Sequence, residues 1–203
     1  PDVFEHEKFA GKVQSTLQSN GFGGSAAAEL SGPAPILNGL HYRVQGSLKK
    51  LGTMRDSRNY LTNTGSEEWN YSYALGYRHR NWKAEVFYSK FNQRFGLYRY
   101  SHLGNLTDLQ NVLQGREQPD TLGFSFDFGR PFQQVSHELF KAKLEHRIDE
   151  RNRIEAVYAR QYNRREEYDL HIGRSPSQEA LARPQLRYGL TTHLAEALWH
   201  HRP

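Results

Sequence analysis

Trp69-Asn70-Tyr71-Ser72-Tyr73-Ala74-Leu75-Gly76-Tyr77-Arg78 puts a large aromatic or apolar side chain at every second position, with Asn, Ser, Ala, Gly and Arg between them. A β-strand turns successive side chains to opposite faces. One face of this segment is therefore broad, aromatic and uncharged, while the other is small and polar. In a water-soluble sandwich the polar face looks out and the aromatic face fills a core. Here the polar face is built of groups small enough for a crowded lumen. The aromatic face carries Tyr and Trp, the residues that favour membrane–water interfaces. This is the pattern of a transmembrane β-barrel strand, weak in one segment and telling when repeated.

It is repeated. Trp82, Ala84, Val86 and Tyr88 alternate with Lys83, Glu85, Phe87 and Ser89, after a link of only Arg78-His79-Arg80-Asn81. Phe140, Ala142, Leu144 and Ile148 alternate with Lys141, Lys143, Glu145 and Arg147. A turn at Asp149-Glu150-Arg151-Asn152 leads to Ile154, Ala156, Tyr158 and Tyr162, set against Glu155, Ala159 and Gln161. Upstream, Tyr42, Val44, Gly46 and Leu48 alternate with Arg43, Gln45, Ser47 and Lys49. Phe9, Gly11, Val13 and Leu17 alternate with Ala10, Lys12, Gln14 and Thr16. Asn20-Gly21, a strong hairpin signal, then opens an alanine-rich strand to about Leu30. Residues 186–199 read as a last strand with less clean alternation. The fold class expected is all-β, with about eight antiparallel amphipathic strands forming part of a larger transmembrane β-barrel.

Composition narrows the alternatives. The 203 residues suit one domain of ordinary size. Mean hydropathy is −0.85 and no run of ~18 apolar residues exists, which excludes helical membrane spans. A barrel escapes that test because only alternate residues of each strand must be apolar. The 13% aromatic content argues against disorder. Net charge is +5, but the charges are dispersed, and no basic block of nucleic-acid type appears. The absence of cysteine removes disulfide and thiolate–zinc chemistry.

Links near 31–38, 78–81 and 149–152 are short, whereas those near 52–66, 94–135 and 169–185 are long. Bacterial outer-membrane barrels place short periplasmic turns and long extracellular loops at opposite strand ends. The chain begins at Pro1 without initiator Met or secretory signal and stops at His201-Arg202-Pro203, so the expectation is a piece of a longer polypeptide.

Over roughly residues 7–200 the chain resembles the first part of the barrel of TonB-dependent outer-membrane receptors of the ferric-siderophore type. The residues that carry the resemblance are Tyr42-Arg43-Val44-Gln45-Gly46-Ser47-Leu48-Lys49, Tyr60-Leu61-Thr62-Asn63-Thr64-Gly65 and Glu85-Val86-Phe87-Tyr88-Ser89-Lys90-Phe91-Asn92. They continue, in order, with His102-Leu103-Gly104-Asn105-Leu106-Thr107-Asp108-Leu109, Gly129-Arg130-Pro131-Phe132-Gln133 and His137-Glu138-Leu139-Phe140-Lys141-Ala142-Lys143. The resemblance implies a barrel of ~22 strands with a plugged lumen, in the outer membrane of a Gram-negative bacterium. It implies uptake of a scarce nutrient such as a ferric siderophore, driven through TonB, with the plug domain and remaining strands outside residues 1–203. The implied partners are outer-membrane lipid, the plug and a metal-chelate ligand, with no nucleic acid and no cofactor. The alternative is a small, passive, porin-like or adhesin-like barrel complete in eight strands.

No enzyme is expected. His137-Glu138 lacks the second His of a zinc-protease helix. Ser136 and His137 are adjacent in a strand and point to opposite faces, so they form no nucleophile–base pair. Gly21-Phe22-Gly23-Gly24 is not followed by the Lys-Ser/Thr of a phosphate loop. His200-His201 reads as part of a turn, and no metal site is assigned. Asn70-Tyr71-Ser72 and Asn105-Leu106-Thr107 fit a glycosylation pattern that arises by chance. Functional interest centres on the loop at about 94–135, because a connection of that length is commonly a binding loop. Its Arg94, Tyr98, Arg99, Tyr100, His102 and Arg130 are the candidate ligand-binding residues, since Arg and aromatic groups suit anionic, often aromatic chelates. Arg116, Asp108, Glu117, Asp120 and Asp127 lie in the same loop. Thr107 to Leu113 is expected to form a short helix, capped by Thr107, with Leu106, Leu109 and Leu113 on one face.

Overall fold

The computed structural model describes residues 3–98, 106–114, 123–169 and 182–202. Among them the elements run β1 (Ala10–Gln18), β2 (Gly23–Pro33), β3 (Leu40–Leu51), β4 (Met54–Arg55), β5 (Tyr60–Leu61), β6 (Ser66–His79), β7 (Trp82–Gly96), α1 (Leu106–Leu113), β8 (Phe132–Arg147), β9 (Asn152–Tyr168) and β10 (Leu186–His201). Eight strands form one antiparallel sheet, in the order β1-β2-β3-β6-β7-β8-β9-β10. β4 and β5 make a separate small hairpin in the link after β3. β1 and β10 are the edges of the large sheet.

Register decides which side chains share a face. Leu30, Val44, Tyr73, Tyr88 and Phe140 are successive cross-strand partners. Two residues nearer the short turns, Tyr42, Leu75, Val86, Ala142 and Tyr158 line up in the same way. The opposite face carries the row Glu29, Gln45, Ser72, Ser89, Leu139 and Gln161. The alternation of each segment is thus in phase across the sheet, giving one apolar face and one polar face.

The apolar face is uncovered. Val13 is 82% exposed and Leu75 54%, and Val44, Leu48, Val86, Leu144 and Ile154 are also exposed. Leaving each such side chain in water forgoes ~1.5–3 kcal/mol, and a typical domain is stable by only ~5–15 kcal/mol. Among the described residues the buried apolar side chains are few: Val3, Phe4, Leu51, Pro131 and Ala159. A single sheet with so small a core needs an apolar medium or another layer against this face.

The strand ends sort by link length. Links 34–39, 80–81 and 148–151 lie at one end; links 52–65, 97–131 and 169–185 lie at the other, with the hairpin 19–22. Several local expectations change. β7 and β8 extend into the region read as loop, so the longest link is 97–131 and Arg94 stands on β7. α1 begins at Leu106, so Thr107 lies within its first turn and does not cap it. In the first hairpin the positive φ values fall on Gly21 and Phe22. Asn20 instead bonds outward: its amide donates to Arg55 O at 2.9 Å and its Oδ1 accepts from Arg55 N at 2.8 Å. In β10 the weak alternation has a specific form. Leu190, Leu194 and Leu198 share the polar face, through pairing with Asn163, Ala159 and Glu155, while Ala195, Ala197 and Trp199 lie on the apolar one.

Candidate functional site

The polar face holds many of its charges in pairs. Lys49 meets Glu68 at 3.1 Å, Lys83 meets Glu85 at 3.2 Å, Lys143 meets Glu155 at 3.0 Å and Arg165 meets Glu167 at 2.9 Å. Arg43, 4% exposed, lies 3.5 Å from Glu29 and 2.9 Å from Glu5. Its neighbour Gln45 donates to the Glu29 carboxylate and accepts from the Ser72 hydroxyl at 2.9 Å. Asn70 donates to the Ser47 hydroxyl at 3.2 Å. Gln14, Glu29, Gln45, Asn70, Ser72 and Ser89 help line a cavity of about 480 Å³ on this face. Nearer the short turns, residues 3–5 lie against the same face. The Phe4 ring has Arg78 and Lys83 each 4.6 Å from its centroid and meets His41 edge-on at 5.1 Å. Gly76 makes this possible, because a Cβ there would collide with Val3 and Phe4.

At the long-loop end, residues 123–131 return across the strand ends and are tied down by Asn63. The Asn63 amide donates to Leu97 O at 2.8 Å and Pro131 O at 2.7 Å, and its Oδ1 accepts from Gly129 N at 2.8 Å. Asn63 has φ 65°, a left-handed conformation that Asn tolerates better than most residues. Thr53 N donates to Ser125 O at 2.8 Å, and the Phe124 ring packs edge-on against Phe22 and Phe126. Thus Tyr60-Leu61-Thr62-Asn63-Thr64-Gly65, quoted above for its resemblance, serves as the anchor of the longest link.

Arg94 lies 4.7 Å from the Phe128 centroid and 4.3 Å from that of Phe132. Phe132 stacks on Tyr168 at 4.2 Å, and Arg130 lies 5.1 Å over Tyr168. Arg130 also donates to Asp169 O and Arg183 O, each at 2.9 Å, and to Gln185 Oε1, joining link 97–131 to link 169–185. Of the six candidate residues, Arg94 and Arg130 therefore belong to one cation–aromatic stack, and both guanidiniums are engaged. Tyr98 is half-buried just past β7. Arg99, Tyr100 and His102 lie outside the described residues, as do Arg116, Glu117 and Asp120. Asn63, Phe124 and Phe128 were not singled out from the sequence. Alternation in Phe124-Ser125-Phe126-Asp127-Phe128 was the available signal, hidden by its place inside a long link.

Two exposed carboxylates are held well ionised by their turns. In the short turn, Asp149 lies below the usual carboxylate range because the Asn152 side chain, then Arg151 N and Asn152 N, donate to it. In the β4–β5 hairpin, Asp56 is lowered by Asn59 N at 2.6 Å and Arg58 N at 2.7 Å. Ser136 and His137 occupy opposite faces of β8, pairing with Asn92 and Phe91. His201 Nδ1 lies 3.0 Å from Asn152 Oδ1. Among the described residues no group of three or more His, Cys, Asp or Glu is placed to hold a metal. No protein-family model, curated protein or solved structure matches this chain.

Proposed function

We propose that this chain is the early wall of a TonB-dependent receptor in the outer membrane of a Gram-negative bacterium, taking up a scarce nutrient presented as an anionic metal chelate. The observation that carries the reading is the division of one eight-stranded sheet into an exposed, aromatic, largely uncharged face and a face of paired charges and amides. On β6 the apolar face runs from Trp69 to His79, ten residue steps along the strand. At ~3.3 Å per residue that is ~33 Å, and the ~35–45° tilt of a barrel strand reduces it to about 25 Å, the height of the lipid-facing band. Trp82, stacked on His146 at 4.0 Å, stands on the apolar face close to the short turns, where interfacial aromatics are expected.

The gathering of links 52–65, 97–131 and 169–185 at one end supplies an outward mouth, where the loop after β7 contributes ligand contacts. Arg94 and Arg130 hold that mouth in shape. The plug and further strands complete the lumen, meeting the polar face and the open edges β1 and β10. A passive eight-stranded barrel is the competing reading; it requires β1 and β10 to pair, whereas they stand as the two edges of the sheet. The experiment is uptake of a radiolabelled ferric chelate by the host and by a strain lacking the full-length gene. Loss of uptake in the deletion strain, and in wild-type cells whose inner-membrane proton gradient is collapsed, supports the receptor. Gene-dependent flux that survives the collapse overturns active transport in favour of the passive barrel.

A further inference from the structure

The outward charges begin along a line that descends across the apolar face. On β3 and β6 the first are Lys50 and Glu67; on β7 and β8 they are Lys90 and Glu138, two cross-strand rows nearer the short turns. On β9 the first is Arg160, one row lower again, in the row of Tyr73, Tyr88 and Phe140. From β3 to β9 the line drops six residues over four strand steps. Strands ~4.8 Å apart tilted by ~40° shift a horizontal boundary by about one residue per step, so this line tracks a level plane.

Along that line the charges are matched until β9. Lys50 meets Glu67 at 3.0 Å and Lys90 meets Glu138 at 2.9 Å. Arg160 has no acidic partner among the described residues, and neither has Arg164, the next charge up the same face of β9. Their cross-strand neighbours are Phe140 and His193 for Arg160, and Ser136 and Gly189 for Arg164. The aromatic hydroxyl of Tyr158 is already engaged with His193 Nδ1 at 2.9 Å. Higher up, Arg187 is taken by Glu166 at 2.7 Å and Arg94 by its two rings. A guanidinium at the border of hydrocarbon is costly without a counter-ion, and its planar fork fits a phosphate in bidentate fashion.

We propose that Arg160 and Arg164 bind the phosphate of an anionic lipid headgroup in the leaflet at the long-loop end. The inference rests on the membrane-barrel reading above. The lipid is the occupant because both side chains stand on the face that meets lipid, at the level where headgroups begin. His193, Thr191 and Tyr162 beside them offer further polar contacts to its neighbouring oxygens.

The test uses the full-length protein in phosphatidylcholine vesicles, with trace spin-labelled phosphatidic acid or spin-labelled phosphatidylcholine. Electron spin resonance of the motionally restricted lipid gives the association constant of one relative to the other. The wild type is expected to prefer phosphatidic acid, and Arg160→Gln with Arg164→Gln to lower that preference by about fivefold for each arginine contributing. Arg160→Lys with Arg164→Lys should retain most of it, and Lys50→Gln, which removes a matched charge, should leave it unchanged. An unaltered preference in the double Gln variant overturns the lipid site while leaving the barrel intact. If the wild type shows no restricted lipid of either kind and does not float with the vesicles, the membrane reading falls and this proposal with it.

Discussion

Tyr73 and Ser72 are neighbours in β6 with opposite surroundings. Tyr73 stands among Val44 and Tyr88 on the exposed apolar face, whereas Ser72 donates to Gln45 beside the cavity of the polar face. In a membrane, Tyr73→Arg is expected to cost ~2–4 kcal/mol, the depth-dependent penalty of a cation facing lipid. Ser72→Arg should be tolerated better, because Glu29 and water-sized space lie on its side. Denaturant titrations of both variants of the full-length protein folded into lipid check this, and equal losses would sink the assignment of faces. Asn63 is a different kind of residue, since its value lies in three bonds to the returning link. Asn63→Ala leaves two carbonyls and an N–H without that partner and keeps the left-handed φ. Pro131 O still accepts from Leu97 N, so two groups lose their partner, and ~1–3 kcal/mol for each gives a loss of roughly 2–6 kcal/mol in local stability. Hydrogen exchange at Gly129 and Leu97 should quicken, and unchanged protection there would show that the aromatic contacts alone hold the link.

Among the elements, the short turn 148–151 and the β4–β5 hairpin each carry a pH signature, through Asp149 and Asp56, and the turn is the simpler to read. The Asp149 carboxylate accepts from Arg151 N and Asn152 N, each at 2.8 Å, and from the Asn152 amide. Its folded pKa is depressed below 3.8, so the contribution is fully present above that value and fades as the pH falls through the folded one. The protection of the Asn152 amide, its rate relative to intrinsic exchange at the same pH, should fall only in that acid range, and Asp149→Asn should remove that fall. This turn and the strands it joins were legible in the sequence, because period-two alternation of Phe140–Arg147 and Ile154–Tyr162 needs only local information. The longer reach of β7 and β8 was not legible, since Arg94 and Phe132 look like loop residues until they stack with Phe128 and Tyr168. The β4–β5 hairpin was hidden for the same reason: its two-residue strands are held by Asn20, thirty-five positions from Arg55. At the candidate site the sequence pointed to Arg94 and Arg130 one by one, whereas the stack that engages both depends on contacts between separate links. In β10 no local signal separated the faces, because both carry uncharged residues and the register with β9 alone decides.

For the whole molecule, an uncovered apolar face and two open edges define behaviour outside a membrane. Unpaired N–H and C=O groups along β1 and β10 template further pairing, and the exposed face adds hydrophobic attraction. Residues 1–203 alone in detergent-free buffer are therefore expected to aggregate; a monodisperse monomer with one cooperative melt, seen by light scattering and calorimetry, would overturn the membrane reading. Orientation is a separate matter, and single cysteines introduced into residues 1–203, which contain none, measure it against the unsubstituted protein as control. Gln114, exposed just after α1, belongs to the long-loop end, and Asn81, exposed between β6 and β7, belongs to the short-turn end. With long loops outside the cell, Gln114→Cys should react with a membrane-impermeant maleimide on intact cells. Asn81→Cys should react only after the outer membrane is permeabilised. Both positions are polar, exposed and outside the lining of the cavity, so differential labelling reports sidedness rather than fit or reactivity. The reverse pattern would invert the sheet in the membrane and move Arg160 and Arg164 to the opposite leaflet. Labelling of both sites on intact cells would mean that no membrane separates the two ends of the strands.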